Sequence, residues 1–376
     1  LVGSEMCIRD RLVCDGLDLS EAVIKVSRAI AYRTTNPILE GIKIVADNDY
    51  VIVSATDQEL SIEKKIKAEV KVEGETVVPG RFFTEFVRKL TKEKIELSTN
   101  EKNQLKIKYT DSEGVVQCYN SLEYPSFNKV DSNEYFAMTE TELKNLIQKT
   151  IFAVATDDTR PILKGVLFEI SNDQITAVAL DGYRLALCKN PIKFTNITAN
   201  VIVPAKSLSE ISKLLGDGDE IINIYIQKNY LMVDLNETKV TTRLLDGDFL
   251  NYKQIIPQNF ETTIVINKNQ FEDALDRASL LSKIGQSNLV KFDIKENSLV
   301  ITSNSDIGTI CENVNVSFKG KDLKIAFNAR YFTECARNIT DEFIKISFNN
   351  STNPCIINPI DSDKYTFLIL PVRMLN

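Results

Sequence analysis

The chain contains no histidine. That absence removes the commonest general base, the commonest metal ligand and every Ser–His or Cys–His nucleophile pair. It also lacks a phosphate-cradling G-x-x-x-x-G-K-[ST] loop, and no paired carboxylates stand out from its surface charge. No apolar run reaches the roughly 18 residues of a membrane-crossing helix, and the start has no apolar core with a small-residue cleavage site. A cytoplasmic location is the default expectation. The seven cysteines (Cys7, Cys14, Cys118, Cys188, Cys311, Cys335, Cys355) are scattered and never spaced C-x-x-C, so they outline neither a disulfide framework nor a zinc site. They read as small buried apolar residues. No cofactor or metal is implied, and an enzyme would have to work by carboxylates alone.

What is present is ordinary for a globular protein: 376 residues, 43% hydrophobic and 26% charged, enough for two or three domains. The first eleven residues, Leu1 to Arg11 (LVGSEMCIRDR), fit neither a helix nor a strand period. They resemble sequencing-adaptor read-through translated into protein, so residues 1–11 read as a non-native leader with a short natural start lost.

The dominant internal signal is repetition. Thr35-Asn36-Pro37-Ile38-Leu39-Glu40-Gly41 recurs as Thr159-Arg160-Pro161-Ile162-Leu163-Lys164-Gly165, an offset of 124 residues. Asp57 and Asp181 each follow a strand pattern, and Asp306 follows a third at an offset of 125. A second landmark agrees: Val78-Pro79-Gly80-Arg81, Val203-Pro204-Ala205-Lys206 and Phe327-Asn328-Ala329-Arg330 each end a strand and open a helix. Apolar stripes at helical period follow, such as Phe83, Phe86, Val87 and Leu90. Further helices open the repeats at Leu19 to Arg33, Glu142 to Thr150 and Lys268 to Lys283, with short alternating or β-branched runs between. Each repeat reads as two helices and about eight strands, an α+β unit. The expected domains are 12–133, 134–258 and 259–376. Three copies alone leave open whether they assemble into a closed ring or remain a scaffold.

Charge is distributed unevenly. Formal net charge is −7, which opposes ordinary surface binding to nucleic acid. The six helix segments (19–33, 80–92, 142–150, 205–215, 268–283, 328–338) nevertheless hold 16 Lys/Arg against 8 Asp/Glu, a net of +8 that leaves −15 for the rest. Solvated helix faces would explain this; the basic residue repeated at helix starts (Arg81, Lys206, Arg330) tilts the reading towards a shared surface. A domain of this length has a diameter of roughly 36 Å, so three in a ring leave a gap of about 3 Å radius and six leave about 18 Å. Only six would admit a duplex, so encirclement requires two chains.

At Thr159 to Ala186 (TRPILKGVLFEISNDQITAVALDGYRLA) the sequence closely resembles the central domain of the bacterial sliding clamp, the DNA polymerase III beta subunit. The resemblance extends from Leu12 onward, through Pro37-Ile38-Leu39, Asp248-Phe249-Leu250-Asn251-Tyr252 and Leu370-Pro371-Val372-Arg373. It implies a head-to-tail homodimer, a six-domain ring with helices inside and sheets outside. Such a ring encircles double-stranded DNA without sequence preference, confers processivity without chemistry of its own, and is not a membrane protein. Implied partners are the polymerase III alpha subunit, the clamp loader, and repair and translesion polymerases carrying clamp-binding peptides. Arg33, Arg81, Lys206 and Arg330 should face DNA, with Lys25, Arg28, Lys149, Lys213 and Arg337 as secondary candidates.

A peptide pocket is implied at Leu163, Leu180, Gly182, Tyr183, Arg184, Leu185, Ile255, Asn328, Tyr331, Leu370, Pro371, Val372, Arg373 and Met374. Aliphatic walls suit anchor side chains, and Asn or Arg suits a peptide backbone. The dimer contact is expected at an edge strand, Val115, Val116, Gln117 and Cys118, facing the partner's third repeat, with apolar support from Leu280 and Leu281. Three departures from the family pattern bear on specificity: Tyr183 replaces a common histidine, Leu250 a common proline, and Leu375-Asn376 extend the end.

Overall fold

The computed structural model describes residues 8–127, 130, 132–284 and 288–373. Local sequence sets the helix boundaries. Asp15 caps α1 (Gly16–Val26), its carboxylate accepting from the backbone N–H groups of Leu17 and Asp18. Thr139 and Glu142 form a reciprocal capping box at α3 (Glu140–Ile151). Leu19, Ala22, Val23 and Val26 bury one face of α1, and Leu143, Leu146, Ile147 and Thr150 one face of α3. The expected helix to Arg33 stops earlier: after Val26 the chain tightens into a 3-10 turn, Ser27–Ala29, and leaves extended at Ile30.

The first repeat continues with β1 (Ile8–Asp15) before α1, then β2 (Gly41–Asp47), β3 (Tyr50–Thr56), β4 (Leu60–Val72), β5 (Gly74–Pro79) and α2 (Gly80–Val87). It closes with β6 (Lys94–Asn100), β7 (Gln104–Tyr109) and β8 (Ser112–Gln117). The second opens with β9 (Tyr135–Thr139) and α3, then β10 (Gly165–Ile170), β11 (Gln174–Leu180), β12 (Arg184–Pro191), the short β13 (Phe194–Thr195), β14 (Ala199–Pro204) and α4 (Ala205–Leu214). Its last strands are β15 (Ile221–Gln227), β16 (Tyr230–Leu235) and β17 (Thr238–Arg243). The third holds β18 (Thr262–Asn267), α5 (Lys268–Ile284), β19 (Leu289–Lys295), β20 (Ser298–Ser305), β21 (Gly308–Lys319), β22 (Leu323–Asn328) and α6 (Ala329–Arg337). It ends with β23 (Phe343–Phe348), β24 (Cys355–Pro359) and β25 (Tyr365–Ile369).

These elements form two compact units that do not follow the repeat boundaries. One comprises the chain to Ala137 with Glu220–Leu244; the other comprises Met138–Asp219 with Leu245 onward. In the first unit the strand order is β9-β15-β16-β17-β4-β1-β6-β7-β8, and a branch leaves β4 in the order β3-β2-β5. The junction of first and second repeats is thus an antiparallel pairing of β17 with β4, Thr242 opposite Leu60 and Val240 opposite Ile62. In the second unit the order is β14-β10-β11-β12-β25-β24-β23-β18-β21-β20-β19-β22. There β25 pairs with β12, Ile369 opposite Arg184 and Phe367 opposite Ala186. Helices pack in pairs, α1 on α2 in the first unit, and α3 on α4 and α5 on α6 in the second. The third repeat centres on Phe271, Phe292, Phe327 and Phe332, fully buried, with ring centroids 4.8–6.1 Å apart.

Three sequence readings change. Strand β1 begins at Ile8, opposite Asn100, with Arg11 opposite both Val72 and Ser98 and ion-paired to Glu96 at 2.9 Å, so Ile8 and Arg11 of the supposed leader are paired in the sheet. Residues 1–7 lie outside the described ones. Counting inward from Pro79 and Asn328, the residues before α2 and α6, puts Asn304 at the place of Thr56. The residue equivalent to Asp57 and Asp181 is therefore Ser305, not Asp306. The cysteines divide: Cys14, Cys118, Cys188, Cys335 and Cys355 are buried, whereas Cys311 is exposed and Cys7 lies outside the described residues. Burial pushes the thiol of Cys188 up to about 11 and that of Cys14 to about 12. Among the described residues no helix is long and apolar enough to cross a membrane.

Candidate functional site

One constellation in the second unit is built around a buried arginine. The turn from β11 to β12 runs Asp181-Gly182-Tyr183-Arg184, and Gly182 takes a φ of +93°, a conformation that favours glycine. Asp181 Oδ1 accepts from the backbone N–H groups of Tyr183 (2.9 Å) and Arg184 (3.0 Å), while its Oδ2 accepts from Arg184 Nε at 3.0 Å. Arg184 is only 6% exposed. Its remaining nitrogens donate to a Glu334 carboxylate oxygen and to the Phe152 carbonyl. The guanidinium also faces the rings of Tyr331 (4.8 Å to centroid) and Phe152 (5.5 Å). Every edge of the planar group is used, a task lysine could not perform.

Glu334 is shared. Its second oxygen accepts from Arg330 Nε at 2.6 Å. Partial burial pushes the Glu334 carboxyl up, but the hydrogen bonds from Arg330 and Arg184 outweigh it and hold the group below its ordinary range. Asn328 caps α6, its Oδ1 accepting from the Arg330 N–H at 3.0 Å, which fixes the helix start beside this cluster.

Apolar residues continue from the cluster. Leu163, Leu180, Leu185 and Tyr252 belong to one buried group, against which Leu370, Phe249 and Ile162 pack half-buried. The carboxyl-terminal segment is tied down by Leu370 N–H to the Tyr183 carbonyl (2.9 Å) and Val372 N–H to the Ala326 carbonyl (2.8 Å). Tyr183 stacks on Tyr331 with centroids 6.2 Å apart and planes 19° apart, and it remains 62% exposed. Ile255 and Val372 are exposed as well. The arrangement offers an apolar floor with an aromatic and cationic wall, and it contains no activated nucleophile.

The structure brings together Leu163, Leu180, Gly182, Tyr183, Arg184, Leu185, Asn328, Tyr331 and Leu370 in one unit. Leu163, Leu180 and Leu185 are core, so only their neighbours meet solvent. Pro371 is half-buried and Arg373 exposed, and Met374 lies outside the described residues. Sequence reasoning missed Glu334, Asp181 and Phe152, the partners that hold Arg184. The Asp181/Arg184 spacing of three and Arg330/Glu334 spacing of four were the available signals.

The basic candidates differ in exposure and in what holds them. Arg33, Arg81 and Lys206 are exposed, and Lys25 and Arg28 half-buried. Lys149 departs from expectation: its ammonium donates to the Asn338 carbonyl at 3.0 Å, lies 5.0 Å from the Tyr365 centroid, and is pushed down in pKa by burial. It is a structural cation. Arg330 is held by Glu334, Lys213 by Glu210 at 2.6 Å, and Arg337 by Asp276 at 3.5 Å.

Two strands carry open edges. β8 ends the strand order of the first unit. Val115 on it is 56% exposed, Val116 half-buried and Gln117 exposed, with its amide donating to the Lys102 and Asn103 carbonyls. In the second unit Gly308–Asn315 of β21 pair with β20, while Val316–Lys319 pair with β18. Leu280 and Ile307 are 63% and 69% exposed in that unit. Two expected interface residues are instead core: Cys118 (8% exposed) follows the strand, and Leu281 (6%) lies on the buried face of α5.

Comparison with known proteins places these features in context. Family models of the DNA polymerase III beta subunit match along the chain: the N-terminal domain at 11–128, the central domain at 137–251 and the C-terminal domain at 253–373. The beta sliding clamp of Staphylococcus epidermidis is 36% identical over 356 residues, 92% of this chain and 94% of that one. That of Staphylococcus aureus is 35% identical over the same span. The DNA polymerase sliding clamp from Bacillus subtilis superposes with a TM-score of 0.95 at 33% identity, covering 98% of this chain and 100% of that one. The beta subunit from Thermotoga maritima gives 0.90 at 29% identity, with 97% and 100% covered.

Proposed function

Since this chain belongs to the DNA polymerase III beta-subunit family of sliding clamps, we propose that two copies close head to tail into a ring around duplex DNA, without catalysis of their own. The ring tethers the replicative polymerase, and the Arg184-centred surface receives peptides of the polymerase, the clamp loader and repair polymerases. The three domains, 12–133, 134–258 and 259–376, contribute equally to it, and it acts on DNA inside the cell.

One observation carries the reading. The same sheet junction occurs twice in the chain, β17 on β4 and β25 on β12. A third junction has both halves present but unjoined. Val116 holds the place of Thr242 and Ile369, because Leu105, Leu231 and Cys355 sit opposite them in the three hairpins. Gly308 holds the place of Leu60 and Arg184, one residue before Ser61, Leu185 and Thr309 in the closing hairpins. Pairing β8 of one copy with β21 of another reproduces the junction, with Val116 opposite Gly308, Gly114 opposite Ile310 and Glu113 opposite Cys311. Faces agree: Gly114 and Val116 are the more buried residues of β8, as Ile310 and Glu312 are along β21 before its core residues. Exposed Val115, Leu280 and Ile307 then gain cover, and both edges are removed from solvent. Closing head to tail twice gives a ring.

Within the ring, Arg33, Arg81, Lys206, Lys25 and Arg28 attract phosphates weakly and without sequence preference, which permits sliding. The test is retention on nicked circular DNA after loading by the cognate loader, before and after linearisation at elevated salt. Release on cutting supports topological linkage. Retention on linear DNA would mean direct surface binding and remove the ring.

A further inference from the structure

Near the basic residues of the first repeat stands an aromatic that neither the core nor the pocket uses. Tyr32 is 64% exposed, between the 3-10 turns Ser27–Ala29 and Pro37–Glu40. Its position is fixed from one side. Arg81 Nη2 donates to the Tyr32 carbonyl at 3.0 Å, and the guanidinium lies 5.3 Å from the ring centroid. Gly80 allows this approach: a Cβ there would meet Ile30 Cδ1 at 2.6 Å and the Glu40 carbonyl oxygen at 2.7 Å, so a side chain would lift α2 off the loop. Exposed Arg33 follows directly.

The second repeat provides an internal control. Its loop folds the same way: Ala31 N–H donates to the Leu39 carbonyl at 3.1 Å, and Ala155 N–H to that of Leu163 at 2.9 Å. Each loop then enters a 3-10 turn, Pro37–Glu40 or Pro161–Lys164. Yet Thr156 and Asp157 stand where the first repeat has Tyr32 and Arg33. The backbone therefore requires neither the aromatic nor the cation. What the pair adds is an open π face beside positive charge, a combination that captures bases and phosphates of an unpaired strand.

We propose that Tyr32, backed by Arg81 and flanked by Arg33, is a stacking platform for an unpaired base of single-stranded DNA. Bases inside a duplex are stacked on both faces and offer it none, so the contact distinguishes a single strand from the duplex that phosphate attraction alone serves. The inference rests on the clamp reading only in taking DNA as the ligand.

The chain contains no tryptophan, so Tyr32→Trp creates a single reporter at the site. Titration with a short oligo-dT at low salt should quench its fluorescence, while a duplex of equal length closed by hairpin loops of abasic linker should not. Tyr32→Ala should weaken oligo-dT binding by about tenfold in fluorescence anisotropy, and Tyr32→Phe should keep wild-type affinity. Unchanged affinity in Tyr32→Ala, or equal quenching by the duplex, would overturn the stacking platform. Failure of the wild-type protein to be held on nicked circles would instead remove the ring and leave the quenching result standing.

Discussion

A cysteine placed at Glu113 should form a disulfide with native Cys311 of a second copy. In the two junctions within the chain, the residues equivalent to this pair lie on hydrogen-bonded positions. Lys65 N–H donates to the Glu237 carbonyl at 2.8 Å and Arg243 N–H to that of Glu59 at 2.8 Å, which makes Glu63 and Lys239 a hydrogen-bonded pair. Cα atoms of such pairs are about 5.5 Å apart, inside the roughly 4.4–6.8 Å that a disulfide spans. Cys311 is the exposed thiol among the described cysteines, and the buried ones are held protonated by burial, so mild oxidation should select it. Glu113→Cys should therefore run as a covalent dimer on non-reducing gels, and adding Cys311→Ser should abolish it. Gly114→Cys points to the opposite face and should cross-link far less. Stronger cross-linking from Gly114→Cys would refute the register; no cross-link from either would refute the strand pairing itself.

Arg184→Met should cost about 3–5 kcal/mol in urea unfolding, since it strands the Asp181 and Glu334 carboxylates beside a buried apolar group; a loss under 1 kcal/mol would mean the cluster is not structural. Stability should also depend on acid. The Glu334 carboxyl lies below its ordinary 4.5 in the folded chain, so its contribution is present above that value and fades as pH falls through the lowered one. Glu334→Gln should flatten the melting-temperature profile below about pH 4.5, and an unchanged profile would count against the pairing. Tyr183→Ala should reduce affinity for a polymerase-derived peptide roughly tenfold while the dimer persists in light scattering. It is a cleaner probe than Leu163→Ala, which would remove about 2–5 kcal/mol of core packing besides.

Much of the fold was legible because helix starts and the Pro-Ile-Leu turns carry local signals that recur at fixed offsets. The turns at Pro37–Glu40 and Pro161–Lys164 are the same structure from nearly the same residues. Three things were not local. The assignment of β15–β17 to the sheet of β4 depends on a pairing across more than a hundred residues, which periodicity cannot reveal. Leu281 and Leu280 are adjacent and equally apolar, yet the phase of α5 buries one and exposes the other. Lys149 carries the same charge as Arg33, but the Asn338 carbonyl claims it from elsewhere in the chain. The pocket residues were found by resemblance; the spacing of Asp181 to Arg184 pointed to one carboxylate partner, whereas Glu334 came only with the geometry.

The pairing of β4 with β17 also sets a clock during synthesis. β4 is complete at Val72, and its partner begins at Thr238. A ribosome adding about 5–20 residues per second therefore leaves that edge uncovered for roughly 8–33 s. A long strand waiting so long is an invitation to pair with a neighbouring nascent chain. Lys64, at the end of the waiting Leu60–Lys64 edge, and Lys65 beside it supply charge that discourages such pairing until the proper partner emerges. Lys64 later donates to Glu237 at 2.9 Å, so replacing Lys64 and Lys65 with threonine should lower the soluble yield while costing the finished protein only about 0–1 kcal/mol for that partly exposed ion pair.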